Sequence, residues 1–391
     1  MKPRLVEGLC LSVLVVAAYW PAHASPYIQT NLVSDIAGLA IITDPSLKNP
    51  WGISHSPTSP LWVSDQGTNK ATLYAVTGAG VTKNALEVAI PTTAAGPQGP
   101  TGQVNNNTSG FVVGSAPASF IFANLNGTIS AWNNGLGTTA QIVASTPGAV
   151  YTGLAISSSP SPLLYAANSS QNRIDVFNSS FANVTPAGGF INPNLPPGLV
   201  PFNVQNINGE IYVIYAPPGR AAQTTATEGQ GAVAVFDTTG NFLRQIVSDS
   251  KLAAPWGIAL APVTFGEFGG DLLVGNFSFA ASEINAFDPL TGILEGTITI
   301  EIPSSITPGG LWALNFGTGG NNGNPNTLFF ADGINGEANG LLGSLTPVPE
   351  PSSLVILGAA LAALAGIRRR QRSHSTPPGG SRVEPEPIAG L

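Results

Sequence analysis

The chain has 391 residues, of which only 9% are charged, and a formal net charge of −7. Nucleic-acid binding needs basic stripes that displace counterions, and a sparsely charged acidic chain does not supply them. One cysteine and three histidines exclude a disulfide framework and leave little material for a thiolate or imidazole metal centre.

Residues 1–24 read as a cleavable signal peptide. Lys2 and Arg4 form a positive start, Leu9 to Ala18 is apolar, and Ala22-His23-Ala24 is a small-x-small cleavage site that leaves Ser25 first. The segment implies a Sec translocon and a signal peptidase as partners. The one cysteine, Cys10, lies inside it, and Glu7-Gly8-Leu9 ahead of it does not make a lipobox. The mature chain therefore has no thiol.

Residues 25–345 hold seven Lys/Arg against seventeen Asp/Glu, a net charge of −10. The 46 glycines and 34 prolines of the chain call for many tight turns and few long helices. No sustained 3.6-residue apolar period appears. Short β-type runs recur instead: Leu61 to Asp65, Phe120 to Asn124, Leu163 to Asn168, Ile211 to Ala216, Leu272 to Asn276 and Leu328 to Asp332. Their ends lie 44 to 60 residues apart, and five of the six reach Asp or Asn.

A similar strand precedes several of them, as at Trp51-Gly52-Ile53, Thr152 to Ala155, Trp256 to Ala259 and Gly310 to Leu314. Another follows, as at Ala71 to Val76, Gly127 to Trp132, Arg173 to Phe177, Gly231 to Phe236 and Glu283 to Phe287. A fourth is visible at Phe242 to Ile246. Three or four strands per ~50 residues, six times over, is the arithmetic of an all-β, six-bladed β-propeller. A blade cannot bury both faces alone, and a ring of blades buries each against the next. Tyr27 to Val33 is expected to close the ring beside Gly340 to Leu345. A β-sandwich with long loops is the alternative, and it leaves the repeat unexplained.

Candidate chemistry is thin. His55 is the sole histidine of this span, between two strands where a surface turn is the default, so a Ser-His-Asp triad has one possible base. Asp65, Asn124, Asn168, Asn276 and Asp332 could offer oxygen ligands to Ca²⁺. The better reading is an Asx-turn into the next strand at each blade. Trp51, Trp62, Trp132, Trp256 and Trp312 could stack on sugar rings, but indoles on inner strands are expected in the core. The Asn-x-Ser/Thr triplets reflect composition, and Gly317 to Asn324 lacks the lysine and the strand–helix setting of a P-loop.

The C-terminus is the most specific signal. Pro349-Glu350-Pro351 cannot enter a helix interior. Leu354 to Ile367 follows, 14 apolar residues or ~21 Å of helix, short of a ~30 Å hydrocarbon core. Arg368-Arg369-Arg370 would hold its far end in the cytoplasm. This order resembles the PEP-CTERM sorting signal of Gram-negative bacteria, here residues 346–370. The resemblance implies a transient inner-membrane stage and processing by exosortase, a membrane protease that recognises the Pro-Glu-Pro motif. A permanent single-pass anchor is the alternative. Residues 371–391, a Pro-, Gly- and Ser-rich tail expected to be disordered, depart from a pattern that usually stops after the arginines.

Asn49 to Ile53, Ala118 to Trp132, Pro201 to Asn206, Ala254 to Ala259 and Gly270 to Phe277 resemble an uncharacterised family of exported bacterial propellers, and more distantly the NHL class. The resemblance implies fold and location but no activity. Sugar-lactonase propellers hold a divalent metal with Glu, Asn and Asp of their innermost strands. Here those strands offer Trp51, Thr152, Trp256 and Trp312, with only Asn49 nearby. The expectation is an exported, non-catalytic binding or scaffold propeller of the cell surface or extracellular matrix, with exopolysaccharide or a surface protein as partner. The runner-up is a metal-dependent, lactonase-like hydrolase.

Overall fold

The computed structural model describes residues 27–96, 98–248 and 251–348. Six antiparallel sheets stand around a common axis. In chain order the first blade is Pro50–Ser54, Leu61–Asp65, Lys70–Thr77 and Gly80–Ala89. The second is Gln103–Asn105, Phe120–Ala123, Thr128–Trp132 and Gln141–Ser145. The third has three strands, Tyr151–Ser157, Leu163–Asn168 and Arg173–Asn178. The fourth is Val200–Ile207, Glu210–Ala216, Ala232–Phe236 and Phe242–Ser248, and the fifth Pro255–Leu260, Leu272–Asn276, Glu283–Phe287 and Leu294–Thr299. The sixth joins Gly310–Phe316, Leu328–Gly333 and Leu341–Pro347 to the N-terminal strand Tyr27–Ser34, which also pairs in parallel with Ile42–Thr43.

The expected closure is therefore present. Tyr27 pairs with Pro347 and Ser34 with Leu341 in an antiparallel ladder, interrupted by a bulge between Asn31 and Val33. The Tyr27 hydroxyl donates to the Phe265 carbonyl at 2.9 Å and accepts from the Phe268 N–H at 3.1 Å, tying the closing strand to the fifth blade. The six repeated runs of the sequence are the second strands of the six blades. Helix is nearly absent from the described residues, with one short α-helix at Arg220–Thr224 and a few 3₁₀ turns.

An apolar layer lies between each pair of neighbouring blades. Trp62, Phe120, Phe122 and Trp132 fill the first–second interface. Ile121, Leu154 and Leu164 belong to the second–third, Tyr165, Val213 and Phe236 to the third–fourth, and Ile214, Val233 and Val274 to the fourth–fifth. Leu273, Leu311 and Phe330 continue the series, and Val63, Tyr74 and Phe329 complete it. This is the burial that no blade achieves by itself.

Close approach at the axis needs glycine. A Cβ on Gly52 would sit 2.6 Å from the Thr101 carbonyl, and one on Gly257 would collide with that of Trp312. The residue ahead of each Pro-Trp-Gly is left-handed in both repeats, at Asn49 (φ 44°) and Ala254 (φ 45°). Side-chain amides bridge the blades where the strands converge. Gln103 donates to the Gly52 and Trp62 carbonyls, both at 2.8 Å, and Asn203 donates to that of Trp256 at 2.8 Å.

Candidate functional site

The innermost strands run side by side, so their first residues rim one mouth of the axis and their last residues the other. Between the two mouths the ring is plugged. Trp51 stacks on Trp312 with centroids 3.5 Å apart and planes 21° from parallel. Trp256 meets both edge-on, at 6.2 and 5.5 Å. Phe277 lies 4.4 Å from Trp312, and Phe202 adjoins both. Trp256 Nε1 donates across the axis to the Thr152 carbonyl at 2.8 Å. The five tryptophans singled out in the sequence are at most 3% exposed, so they are core and offer no open face to a sugar ring. The waist beside Gly52, Gln103, Asn203 and Leu314 leaves a cavity of only about 20 Å³.

The mouth at the strand starts holds a cavity of about 590 Å³, lined in part by Asn49, Trp51, Gln66, Thr152, Arg220, Gln223 and Glu337. Two insertions build over it. One, between the second and third strands of the fourth blade, carries the helix Arg220–Thr224. The other, between Leu328–Gly333 and Leu341–Pro347, carries Glu337. Arg220 reaches back over the plug, its guanidinium carbon 3.9 Å from the Phe277 centroid and 4.9 Å from that of Trp312. Its Nε donates to Glu337 Oε2 at 2.8 Å, and Nη2 meets Glu337 Oε1, a two-point pair across 117 residues. Burial pulls the Arg220 guanidinium below its usual value, and Glu337 opposes that pull. Burial, with the Glu337 charge adding to it, pushes the Asp332 carboxyl up to about 7.

A chain of bonds fixes the amides of this mouth. An indole N–H can only donate, so Trp312 Nε1, 3.0 Å from Asn49 Oδ1, sets that amide's orientation. Asn49 Nδ2 then donates to Gln66 Oε1 at 2.9 Å. Gln223 Nε2 donates to the Pro217 carbonyl at 3.1 Å.

The polar strand ends predicted from sequence are buried at equivalent places in their blades and are not gathered at one point. They are ties, though not uniformly the expected turn into the next strand. Asn124 Nδ2 donates to the Thr128 carbonyl at 3.1 Å, and Asp65 Oδ2 accepts from Thr72 Oγ1 at 2.7 Å. Asn276 points backwards along the chain, accepting from Ala253 N at 2.9 Å and donating to the Lys251 carbonyl at 2.8 Å. Asn168 donates to Asp175 Oδ2 at 2.8 Å and accepts from Gln171 N. Burial raises Asp65 well above the usual carboxylate range, with the Thr72 bond opposing.

His55 sits at the opposite mouth, half-buried, with Nε2 2.8 Å from Asn315 Oδ1 and 2.9 Å from the Phe316 carbonyl. Its Nδ1 lies 3.1 Å from the Ser56 carbonyl, so both ring nitrogens face structural partners. That mouth encloses about 470 Å³ among side chains such as Gln103, Asn105, Gln205 and Asn206. Among the described residues no three or more His, Cys, Asp or Glu stand together as a metal site. Ala22, Ala24, Ser25, Pro349, Glu350, Pro351 and Arg368 to Arg370 lie outside the described residues, as do Leu354 to Ile367 and the tail.

Arg220, Gln223, Gln66 and Glu337 were not picked out by sequence reasoning. They sit in connections rather than in the repeated strands. The only available signal was that Arg220 is one of seven basic residues in the propeller span, inside a connection longer than its counterparts.

Residues 347–370 match the model of the PEP-CTERM protein-sorting motif. Two uncharacterised proteins of Acanthamoeba polyphaga mimivirus, R648 and L690, are each 29% identical to this chain. R648 aligns over 296 residues, 72% of either chain. L690 aligns over 290, 70% of this chain and 75% of its own. Among solved structures, virginiamycin B lyase from Staphylococcus aureus superposes with a TM-score of 0.50 at 14% identity, over 82% of this chain and 99% of that one. A gluconolactonase from Xanthomonas campestris reaches a TM-score of only 0.37, at 15% identity over 59% of this chain and 82% of that one.

The molecule is thus an all-β, six-bladed β-propeller. It carries a PEP-CTERM sorting motif, which marks it as an exosortase-sorted protein made as an exported, membrane-anchored precursor.

Proposed function

We propose that the mature propeller is a non-catalytic binding or scaffold protein of the cell surface or extracellular matrix, released there after exosortase has acted on its tail. The observation that carries this reading is the state of the axial mouth. A propeller hydrolase of the lactonase kind needs open carboxylates converging on a metal. Here the inner strands contribute three indoles as a packed plug. Glu337, the one carboxylate that lines the mouth, is held in a two-point pair with Arg220. His55, the one imidazole among the described residues, faces a carbonyl and an amide at the far mouth.

The test combines two assays on the purified full chain. Retention on the producing cell's exopolysaccharide or surface fraction is expected, with no turnover of lactone or ester panels at any Ca²⁺ or Mg²⁺ concentration. Divalent-dependent turnover abolished by Glu337→Gln would replace this reading with the hydrolase.

A further inference from the structure

The Arg220 mouth is a blind cavity lined by amides, hydroxyl residues and one ion pair. Three observations bear on what it takes. First, the amide orientations are fixed by groups that can play only one role. Trp312 N–H forces Asn49 to accept, Asn49 then donates to Gln66 Oε1, and the Nε2 donor of Gln66 is left without a partner among the described residues. In the same way the Pro217 carbonyl takes Gln223 Nε2 and leaves Gln223 Oε1 as an acceptor. Both glutamines are more than nine-tenths buried, 8% and 4% exposed, and both line the cavity. The two unbonded atoms, Gln66 Nε2 and Gln223 Oε1, open onto the cavity, so a ligand can bond them in place of solvent.

Second, the charges of the mouth cancel. Arg220 and Glu337 neutralise each other, and the remaining Arg220 Nη1, which has no partner, is itself buried and out of reach, so a carboxylate, phosphate or ammonium group entering here finds no exposed counter-charge. Third, the site is a cul-de-sac. It holds about 590 Å³, and the waist below it holds about 20 Å³, room for little more than one water. A polymer cannot thread the axis.

We infer that this mouth binds the end of a neutral saccharide, one or two sugar residues deep, with Gln66 Nε2 donating to one ring or hydroxyl oxygen and Gln223 Oε1 accepting from another hydroxyl. Hydroxyl groups serve as donor and acceptor at once, and Thr152, Ser169 and Ser170 line the same cavity, their hydroxyls donating to the Ala167, Val150 and Gly148 carbonyls and keeping acceptor capacity. An uncharged peptide segment would satisfy the two amides but would leave these hydroxyls facing side chains of no fixed polarity. A nucleobase would need an open aromatic face to stack on, and Trp51, the indole in the cavity wall, is 3% exposed and lies under the Arg220 guanidinium. The inference rests on the binding reading above and gives it a ligand class and an address.

The test is an array of neutral linear mono- and oligosaccharides, the same chains ending in a uronate, cyclic glucans that have no ends, and uncharged peptides, probed with the full chain. Retention is expected on a subset of the neutral linear saccharides and on none of the other three classes. Gln66→Glu keeps the oxygen that Asn49 needs but turns the free donor into a charged acceptor. It should weaken retention at least about tenfold, the worth of one buried hydrogen bond, while the chain still unfolds in a single cooperative transition at a lower melting temperature, because the new charge is buried. Gln205→Glu at the opposite mouth should bind as wild type. Retention of cyclic glucans, uronate-ended chains or peptides in place of neutral ends would overturn the inference. So would a Gln66→Glu variant that binds undiminished. If exopolysaccharide is still retained in that last case, the binding reading survives without this site, whereas metal-dependent turnover would remove the reading itself.

Discussion

Asp332 is the residue whose environment departs most plainly from what its side chain prefers. It is 2% exposed, one of its oxygens has no hydrogen-bond partner, and burial lifts its carboxyl to about 7 from an ordinary value of 3.8. Between those pH values the folded chain holds a proton that the unfolded chain has released. Stability is then favoured below about pH 4 and declines as pH rises through 7, by something on the order of 4 kcal/mol at ~1.4 kcal/mol per pH unit. Asp65 is shifted in the same direction. Glu87 works in the opposite sense. Burial opposes ionisation, but bonds from Lys70, Lys83 and Ser46 hold it down at about 2, so its contribution is present above pH 4.5 and is lost as pH falls through 2. Asp332→Asn should therefore melt higher than wild type at pH 8 and lose part of the decline between pH 4 and 7, as read by thermal unfolding. A variant with the wild-type pH profile would show that this carboxyl is not protonated in the fold. At the plug, Trp312 is fully buried and its indole anchors Asn49. Trp312→Ala is expected to cost about 4 kcal/mol in urea unfolding, and a loss under ~1 kcal/mol would mean that the hub tolerates a void and is not close-packed.

Among the elements, the closing strand decides whether the ring is a ring. Tyr27–Ser34 is the outer strand of a blade whose other three strands come from the far end of the propeller. Without it, Leu341–Pro347 would present an unpaired edge, with Leu341, Leu342 and Leu345 uncovered, which invites edge-to-edge association. A chain begun at Asp35 should unfold without a single cooperative transition and elute as aggregate in size-exclusion chromatography, whereas Tyr27→Phe should stay monodisperse and melt a few degrees lower. The closure was legible in the sequence because both partners are apolar runs at opposite ends of a repeat that needs one more strand. The second strands were legible for a related reason, since an apolar run recurs at each blade and ends in Asp or Asn in five of the six. The inner strand Gln103–Asn105 was not legible: three residues carry no period, and its place on the axis comes from Gln103 bonding the first blade. Nor was the third blade's lack of a fourth strand, where Val184 N bonds the Val176 carbonyl and irregular chain stands in for the ladder. The Arg220–Glu337 pair escaped notice because two connections 117 residues apart meet only once the ring exists.

For the molecule as a whole, the repeat supplies the wheel and the tail supplies its route. Blade packing explains how a span with seven basic and seventeen acidic residues folds around aromatic layers and not around ion pairs. The sorting motif explains why such a chain carries Pro349-Glu350-Pro351 ahead of a short apolar segment. Glu350→Ala should leave an unprocessed precursor in the membrane fraction, visible as a larger band on immunoblot. The proposed route is written most directly in the two ends of the mature protein. Mass spectrometry of its terminal peptides should find Ser25 first and a C-terminus upstream of Arg368 in material from the cell surface or medium, with Arg368 to Leu391 missing. Recovery from the cytosol of chains that still begin at Met1 and end at Leu391, with no trimmed form outside the cell, would contradict it.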